Sequence, residues 1–566
     1  MIEQSLILTI ASCIIVMAAV AVTSYFMTRN AANTKDGYFL AGRSLSGVFI
    51  AGSLLLTNLS AEQLIGLNGS AYGFNLSSMA WEVTAAISTV FMAFVFLPHY
   101  LAGAFTTLPE FLNSRFDSDV RRYSVILFML GYGFVTIPSV LYAGSVAVLH
   151  LFDVPTLLGI SYFHALVVTV VSIGSIGSVY AIFGGLKAVA VSDTLNGIGL
   201  LIIGLLVPTL GLITLGDGSF LEGLSTVTTT ETEKLNAIGS PNDPTPFSTI
   251  FTGMVFANLF YWCTNQYVIQ RTLGAKNLAE GQKGVLFSGF FKVMVPFLMM
   301  LPGVIAYHIY GSELASIDQA YPQLIKDVLP VYLTGFFLAV LLGAVFSSFN
   351  SLLNSAATLF CLDVYSPLKR GMVSEQKLVK VAKVTSVVIA IFSFIVAPLL
   401  HFAPDGLWQI IRIFTGFYNI PIVVIVLVGL FTKRTPAVGA KIVIIFHVIT
   451  YGIVRFALKD VVQIHFLHLY AILFLVEVII MVTVGLLAPK ESVWTYENKH
   501  QVDLTPWHFA KPVAVTLVSL VIGLYLLFSP IGIVENTYSP IFKFLIAALT
   551  LTNIFIWLKP RRSLVT

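Results

Sequence analysis

Charge is scarce in this chain. Only 10% of its 566 residues are Asp, Glu, Lys or Arg, against roughly 25% in soluble globular domains. That shortage excludes a soluble enzyme. A net charge of +4 without a basic block excludes a disordered or nucleic-acid-binding chain. Cysteine is rarer still: Cys13, Cys263 and Cys361 stand far apart. Neither a CxxC nor a Cys/His spacing offers a metal site, and the three read as small apolar fillers. The ten histidines are scattered. What abounds is apolar, 57% of the residues, in unbroken runs and not in the alternation of a membrane barrel. At roughly 20 residues per span this is enough for about fifteen helices. The expectation is an all-α polytopic membrane protein, not an enzyme.

Apolar stretches fall at about 5–27, 47–74, 77–100, 121–149, 156–183, 188–215, 248–273, 281–310, 327–365, 378–402, 406–431, 437–458, 464–487, 512–530 and 539–558. The first has no basic leader and is long enough to span, so it is expected to be a retained helix and not a cleaved signal. Of the 31 Lys and Arg residues, 24 fall in one set of loops and 5 in the opposite set. Basic loops stay in the cytoplasm. The N-terminus is therefore expected outside and the C-terminal KPRR inside. The acidic loop 216–247 is then an external cap, and 488–511 is the longest internal loop. Neither is long enough for a catalytic domain.

Ionisable groups inside a bilayer are costly and usually functional. Glu62, Glu82, Lys292, Arg412 and Glu477 fall within spans, and Asp193 lies near the start of one. Glu477, far from the others, reads as structurally paired. Two spans look broken. The second has TNLSAEQ at its centre, and the ninth carries Ser347, Ser348, Asn350, Ser351, Asn354 and Ser355. Unwound backbone is tolerated at depth where it lines a cavity. The serines at 347, 351 and 355 share one helix face, which serves either helix packing or, with freed carbonyls, a hard cation that prefers oxygen. The seventh span, ANLFYWCTNQYVIQR, combines aromatic faces with amides. That suits a sugar; the plainer alternative is an interfacial aromatic belt, with Arg271 at the cytoplasmic edge.

Taken together, YFLAGRSL, TNLSAEQLIGLNGSAYG, YAIFGGLKAVAVSD, NLFYWCTNQYVIQRTLGAKN and VFSSFNSLLNSAATLFCLDVY resemble the solute:sodium symporter family. The likeness is to its bacterial sodium/galactose and animal sodium/glucose cotransporters, over residues 37–431 and more loosely beyond. The resemblance implies a LeuT-like five-plus-five inverted repeat of about 14–15 transmembrane helices. An extra helix and cytoplasmic loop (1–46) precede the first repeat (47–215). The external loop (216–247), the second repeat (248–431) and C-terminal accessory helices (432–566) follow. The family's usual count is fourteen, which makes 539–558 an addition.

Carried over by position, the resemblance implies a co-transported sodium ion at the carbonyls of Leu56, Leu59 and Ala344 and the hydroxyls of Ser347 and Ser348. Asp193 matches an acidic coupling position, where Ser347, Asn350 and Ser351 are able to complete a second sodium site. A sugar site would comprise Asn58, Gln63, Glu82, Asn258 and Lys292, with Tyr261 as inner gate and Trp262 beside it. Two positions depart from the family: Arg412 replaces a glutamine and Ala85 a serine. The implied function is sodium-coupled uptake of a galactose- or glucose-like sugar by alternating access. The alternative is an anionic sugar or organic acid met by the Arg412 guanidinium, itself able to pair with Glu82 or Glu62. The expected partners are sodium, the solute and the lipid bilayer, with no nucleic acid. The chain is expected to act as a monomer, and its short loops suggest a bacterial inner membrane.

Overall fold

The computed structural model describes residues 2–28, 34–314, 316–369, 372–402, 406–495, 498–535 and 538–558. Every extended regular element among them is a helix, and a single β-bridge joins Leu45 to Ala275. In chain order the main elements are α1 (Ile2–Thr28), α2 (Gly47–Asn58), α3 (Ala61–Gly73), α4 (Leu76–Ala102), α5 (Leu108–Arg115), α6 (Ser118–Leu149), α7 (Tyr162–Val179), α8 (Gly185–Leu215) and α9 (Phe220–Thr229). Then come α10 (Gly253–Leu259), α11 (Gln266–Leu273), α12 (Leu278–Tyr310), α13 (Val331–Leu368), α14 (Glu375–Phe402), α15 (Gly406–Phe431), α16 (Ala437–Ala457), α17 (Phe466–Leu487), α18 (Ala510–Leu527) and α19 (Pro540–Leu558).

Thirteen of the described helices are long and apolar enough to cross a membrane, and α2 with α3 forms a fourteenth, bent span. The seventh stretch of the sequence is not a continuous span. It is the short helices α10 and α11, joined by a π turn at Phe260–Thr264 and interrupted at Asn265.

The ninth stretch corrects the sequence expectation in the opposite direction. Its serine-rich part is unbroken α-helix over Val331–Thr358 and winds on as a π-helix over Leu359–Tyr365. Several of its polar groups find partners without unwinding. Ser351 Oγ donates to Ser347 O (2.5 Å), Thr358 Oγ1 to Asn354 O (2.7 Å), and Ser355 Oγ to Gln270 Oε1 on α11 (2.6 Å). Position in the fold explains why so polar a helix is stable at depth. The most apolar stretch of α13 is 89% buried, the largest share among the described spans, and the helix packs against α1, α2, α7, α8 and α14. α19, by contrast, has no buried residue.

Lipid tails are as apolar as leucine, so helix association in a bilayer relies on close packing. The contact of α2 with α12 shows this. A Cβ on Gly284 would lie 2.5 Å from Ile50 and 3.1 Å from the carbonyl oxygen of Gly47. The two backbones therefore approach directly, which brings the break after α2 close to α12 and its Lys292.

Candidate functional site

Two chain breaks build the site. In the first, Leu59 and Ser60 leave the helix, and the axes on either side bend by 59°. The Ser60 N–H turns to Asn58 O (3.0 Å), and the Gln63 N–H to Ser60 O (3.1 Å). The carbonyls of Leu56 and Leu59 thereby lose their ordinary donors four residues on. Both residues are fully buried. Freed, buried carbonyl oxygens fit a hard cation, which agrees with the ligand set expected for sodium. In the second break Asn265 is extended (φ −77, ψ 116), and its Oδ1 accepts the Tyr132 hydroxyl at 2.5 Å. A Thr-Asn pair stands at each break: the first follows Thr57-Asn58, and the second falls on the Asn of Thr264-Asn265.

α13 lies against the first break. Ser348 Oγ donates to Thr57 O (3.4 Å), and Thr57 Oγ1 lies 3.3 Å from Ser351 Oγ. Ser347 and Ser348 point different ways. Ser348 lines the large cavity described below, whereas Ser347 lies beside Asp193 and lines a small second cavity with Asn350. Ala344, one turn before Ser348, is fully buried.

The large cavity, about 190 Å³, lies between the breaks and is walled by α4, α12, α15 and α17. Asn58, Gln63, Glu82, Asn258, Tyr261, Trp262 and Lys292 all line it, so the structure brings these expected solute residues together. Lys292 Nζ donates to Glu82 Oε2, both side chains being buried, and lies 5.6 Å over the Trp262 ring. The carboxylate's other oxygen accepts from Gln63 Nε2 (3.2 Å). Glu82 is thus paired with Lys292. Asn258 Nδ2 donates to Thr84 Oγ1 (2.9 Å), and that hydroxyl in turn donates to Ala80 O (2.6 Å).

These bonds set the orientation of two amides. Turned over, Gln63 would aim oxygen at a carboxylate, and Asn258 would aim oxygen at a hydroxyl whose hydrogen is already committed. Gln63 Oε1 is consequently left as a buried acceptor with no partner, as is Asn58 Oδ1, while the Asn258 amide oxygen is turned away from Thr84. Tyr261, half-buried, packs edge-on to Trp262 and Tyr267, each ring 5.7 Å away.

Asp193, Asn350 and Ser351 behave differently. Asp193 and Ser351 do come together, but around Arg271. Its guanidinium is fully buried and 3.8 Å from Asp193 Oδ2. It donates to Ser53 Oγ (2.8 Å), Ser351 Oγ and Tyr267 O, and Ser53 Oγ donates to Asp193 (2.6 Å). Arg271 is therefore buried inside the protein.

The side chains of Glu62 and Arg412 lie outside the described residues, although neighbours of the latter on α15, Ile411 and Thr415, line the cavity. Sequence reasoning missed Trp81, Tyr418, Asn419, Phe466 and Tyr470 as cavity residues. Phe466 and Tyr470 belong to α17, among the accessory helices. Trp81 stacks on Phe466 at 6.3 Å, closing the wall between α4 and α17. The run WEVTAA around Glu82 carried a signal for Trp81; nothing in the sequence tied α17 to the core.

Comparison with known proteins agrees with this geometry. The model of the sodium:solute symporter family matches residues 38–447. An Escherichia coli K12 protein described as an uncharacterized symporter, YidK, is 42% identical over 533 residues, covering 94% of this chain and 93% of that one. The sodium/glucose cotransporter of Vibrio parahaemolyticus is 34% identical over 433 residues, 72% of this chain and 77% of that one. The human sodium/myo-inositol cotransporter 2 is 30% identical over 450 residues, 72% and 63% of the two chains. Among solved structures, a substrate-bound, outward-open sodium-coupled sialic acid symporter superposes with a TM-score of 0.74 at 22% identity, over 86% of this chain and 99% of that one. The fold is the LeuT-like fold.

Proposed function

Because the chain belongs to the sodium:solute symporter family, it is a multi-pass sodium-coupled symporter and not an enzyme, and we propose that its solute is a neutral sugar or cyclitol, taken up with sodium by alternating access. The observation that carries this reading is a pair of buried amide oxygens in the cavity lining. Gln63 Oε1 and Asn58 Oδ1 are buried acceptors without donors, each a liability of roughly 1–3 kcal/mol. A polyol relieves both by donating hydroxyl hydrogens. A carboxylate has none to give, and the cation it would seek, Lys292, is already neutralised by Glu82. The Trp262, Tyr261 and Trp81 rings add faces for the apolar side of a sugar ring. The relatives named for glucose and myo-inositol carry neutral polyols, which supports the same class.

In this reading sodium binds the carbonyls of Leu56, Leu59 and Ala344 with Ser348, and with Ser347 where that hydroxyl turns from Asp193. One cation site is assigned. The second cluster already holds a guanidinium beside its carboxylate, so Asp193, Asn350 and Ser351 serve as scaffold next to the cation site. Sodium holds the break after α2 in the form that presents Asn58 and Gln63 to the solute, which makes each ligand bind better in the presence of the other. Inward release is driven by the gradient and the potential, roughly 2.3 kcal/mol per charge at about 100 mV. The two repeats are assigned to 47–215 and 248–431, a division supported by a broken helix at the start of each. A single chain supplies both the cavity and the cation ligands, which supports function as a monomer.

The test is uptake into sealed liposomes of labelled galactose, glucose and myo-inositol against galacturonate and gluconate, under a sodium gradient and with potassium in its place. Sodium-driven accumulation of a neutral member, unaffected by Arg412→Gln, is expected. Accumulation of the acids alone, lost in Arg412→Gln, would overturn the reading in favour of an anionic solute.

A further inference from the structure

Behind the α15–α17 wall of the cavity lies a buried titratable pair that neither the solute nor the cation uses. His447 of α16 and Glu477 of α17 are fully buried, with Nδ1 and Oε1 2.5 Å apart. The other ring nitrogen, Nε2, lies 2.8 Å from the carbonyl oxygen of Gly416 on α15. A carbonyl only accepts, so Nε2 carries a hydrogen. The Nδ1–Oε1 contact then needs one further proton, and with it the pair is neutral overall. Glu477 Oε2 is buried without a partner. Losing the bridging proton would leave a bare carboxylate facing an imidazole lone pair inside the membrane.

The point of attachment connects this pair to transport. Thr415, Tyr418 and Asn419, which flank Gly416, line the cavity. α15 is weak here: Pro421 lacks the N–H that would bond Phe417 O, and the Ile420 N–H is donated to Asn419 Oδ1 (2.7 Å). Position 416 admits no side chain, because a Cβ would lie 2.1 Å from the Tyr451 hydroxyl. The Tyr451 ring stacks on His447 at 5.6 Å. α17 presents Tyr470 to the cavity, two turns before Glu477. The pair thus ties the weak turn of one cavity helix to the other.

We propose that His447 and Glu477, sharing one proton, are positioning residues that hold the weak turn of α15 and so set the solute-binding wall; loss of the proton loosens the wall and lowers solute affinity. Among the described residues the titratable groups facing the pair are Tyr451 on α16, Tyr470 on α17 and Tyr418 on α15. Arg455 acts on Tyr451 from one turn further along α16. Lys441, at the far end of α16, is engaged by Asp117 and Asp119.

The first readout, on the intact chain in liposomes, needs no solute. Hydrogen exchange across 411–421, corrected for intrinsic rates, should quicken about tenfold relative to 422–430 in His447→Phe. The wild type should show the same change between about pH 6 and about pH 9, a range in which unperturbed tyrosines stay neutral. Glu477→Gln supplies an N–H to Nδ1 but no titratable proton. It should exchange like the wild type at the lower pH and lose the pH effect. The second readout is the KM for labelled galactose, which should rise by a similar factor in His447→Phe while half-saturating sodium holds. This arm rests on the proposed solute; if galactose is not carried at all, that assignment fails and exchange alone decides the pair. Wild-type exchange across 411–421 in His447→Phe, or one shared pH profile for the wild type and Glu477→Gln, would overturn the proposal.

Discussion

Of the buried acid–base pairs among the described residues, two are completed differently. Around Asp193–Arg271 the guanidinium finds Ser53, Ser351 and the Tyr267 carbonyl in addition to the carboxylate, and neither partner lines the large cavity. Around Glu82–Lys292 the supporting amide of Gln63 uses its N–H group internally, and the oxygens of Gln63 and Asn58, both residues of the cavity lining, are left without partners. Both pairs answer the same electrostatic need, since an isolated charge at this depth is expensive. The difference lies in the neighbours. A network whose hydrogen bonds are closed is scaffold, whereas one with oriented acceptors left open is a recognition surface.

Substitutions should separate the two pairs. The largest effect is expected from Arg271→Leu, which strands Asp193 in the interior. A loss of roughly 3–5 kcal/mol should appear as a collapse in melting temperature and in monodisperse yield, with recovery when Asp193→Asn is added. Wild-type melting of the single variant would remove the distinction. Glu82→Gln should do the reverse, melting close to the wild type because Lys292 faces a cavity that water reaches. Its sodium-driven uptake should drop about a hundredfold, the equivalent of two lost charge-assisted bonds.

A smaller effect belongs to the cation side. Ser348→Ala should raise half-saturating sodium about tenfold and leave solute KM intact at saturating sodium, as measured by sodium titration of uptake. The smallest is the most specific. Thr84→Val preserves shape but removes the acceptor that orients Asn258, so solute KM should rise about threefold. Competition by deoxy analogues should weaken in parallel; an unchanged analogue ranking would show that Thr84 does not orient the amide.

The membrane class and the charged residues of the cavity were legible because charge within apolar runs is conspicuous. Glu82 and Lys292 stand out in their spans, and TNLSAEQ announces its own break. The second break was less visible. Its Thr264-Asn265 repeats the Thr57-Asn58 signal, but the aromatic residues before it drew attention to stacking. The ninth span misled in the other direction, because a string of serines and asparagines looks unwound until neighbouring helices supply its partners. The pairing of Arg271 was not legible, since nothing local shows that its carboxylate partner lies on α8. His447 drew no notice among scattered histidines, for its partner Glu477 is thirty residues away on another helix. Pairings between distant helices are three-dimensional facts that a linear reading of hydropathy does not contain.

The account's central claim is that Gln63 and Asn58 read solute hydroxyls as hydrogen-bond donors. Its most direct test is a double-mutant cycle. Inhibition constants for a series of monodeoxy sugars would be measured against sodium-driven uptake in the wild type, Gln63→Leu and Asn58→Leu. The account predicts that, for one ring position per amide, removing the hydroxyl and removing the amide cost the same and do not add. Full additivity at every ring position would contradict it.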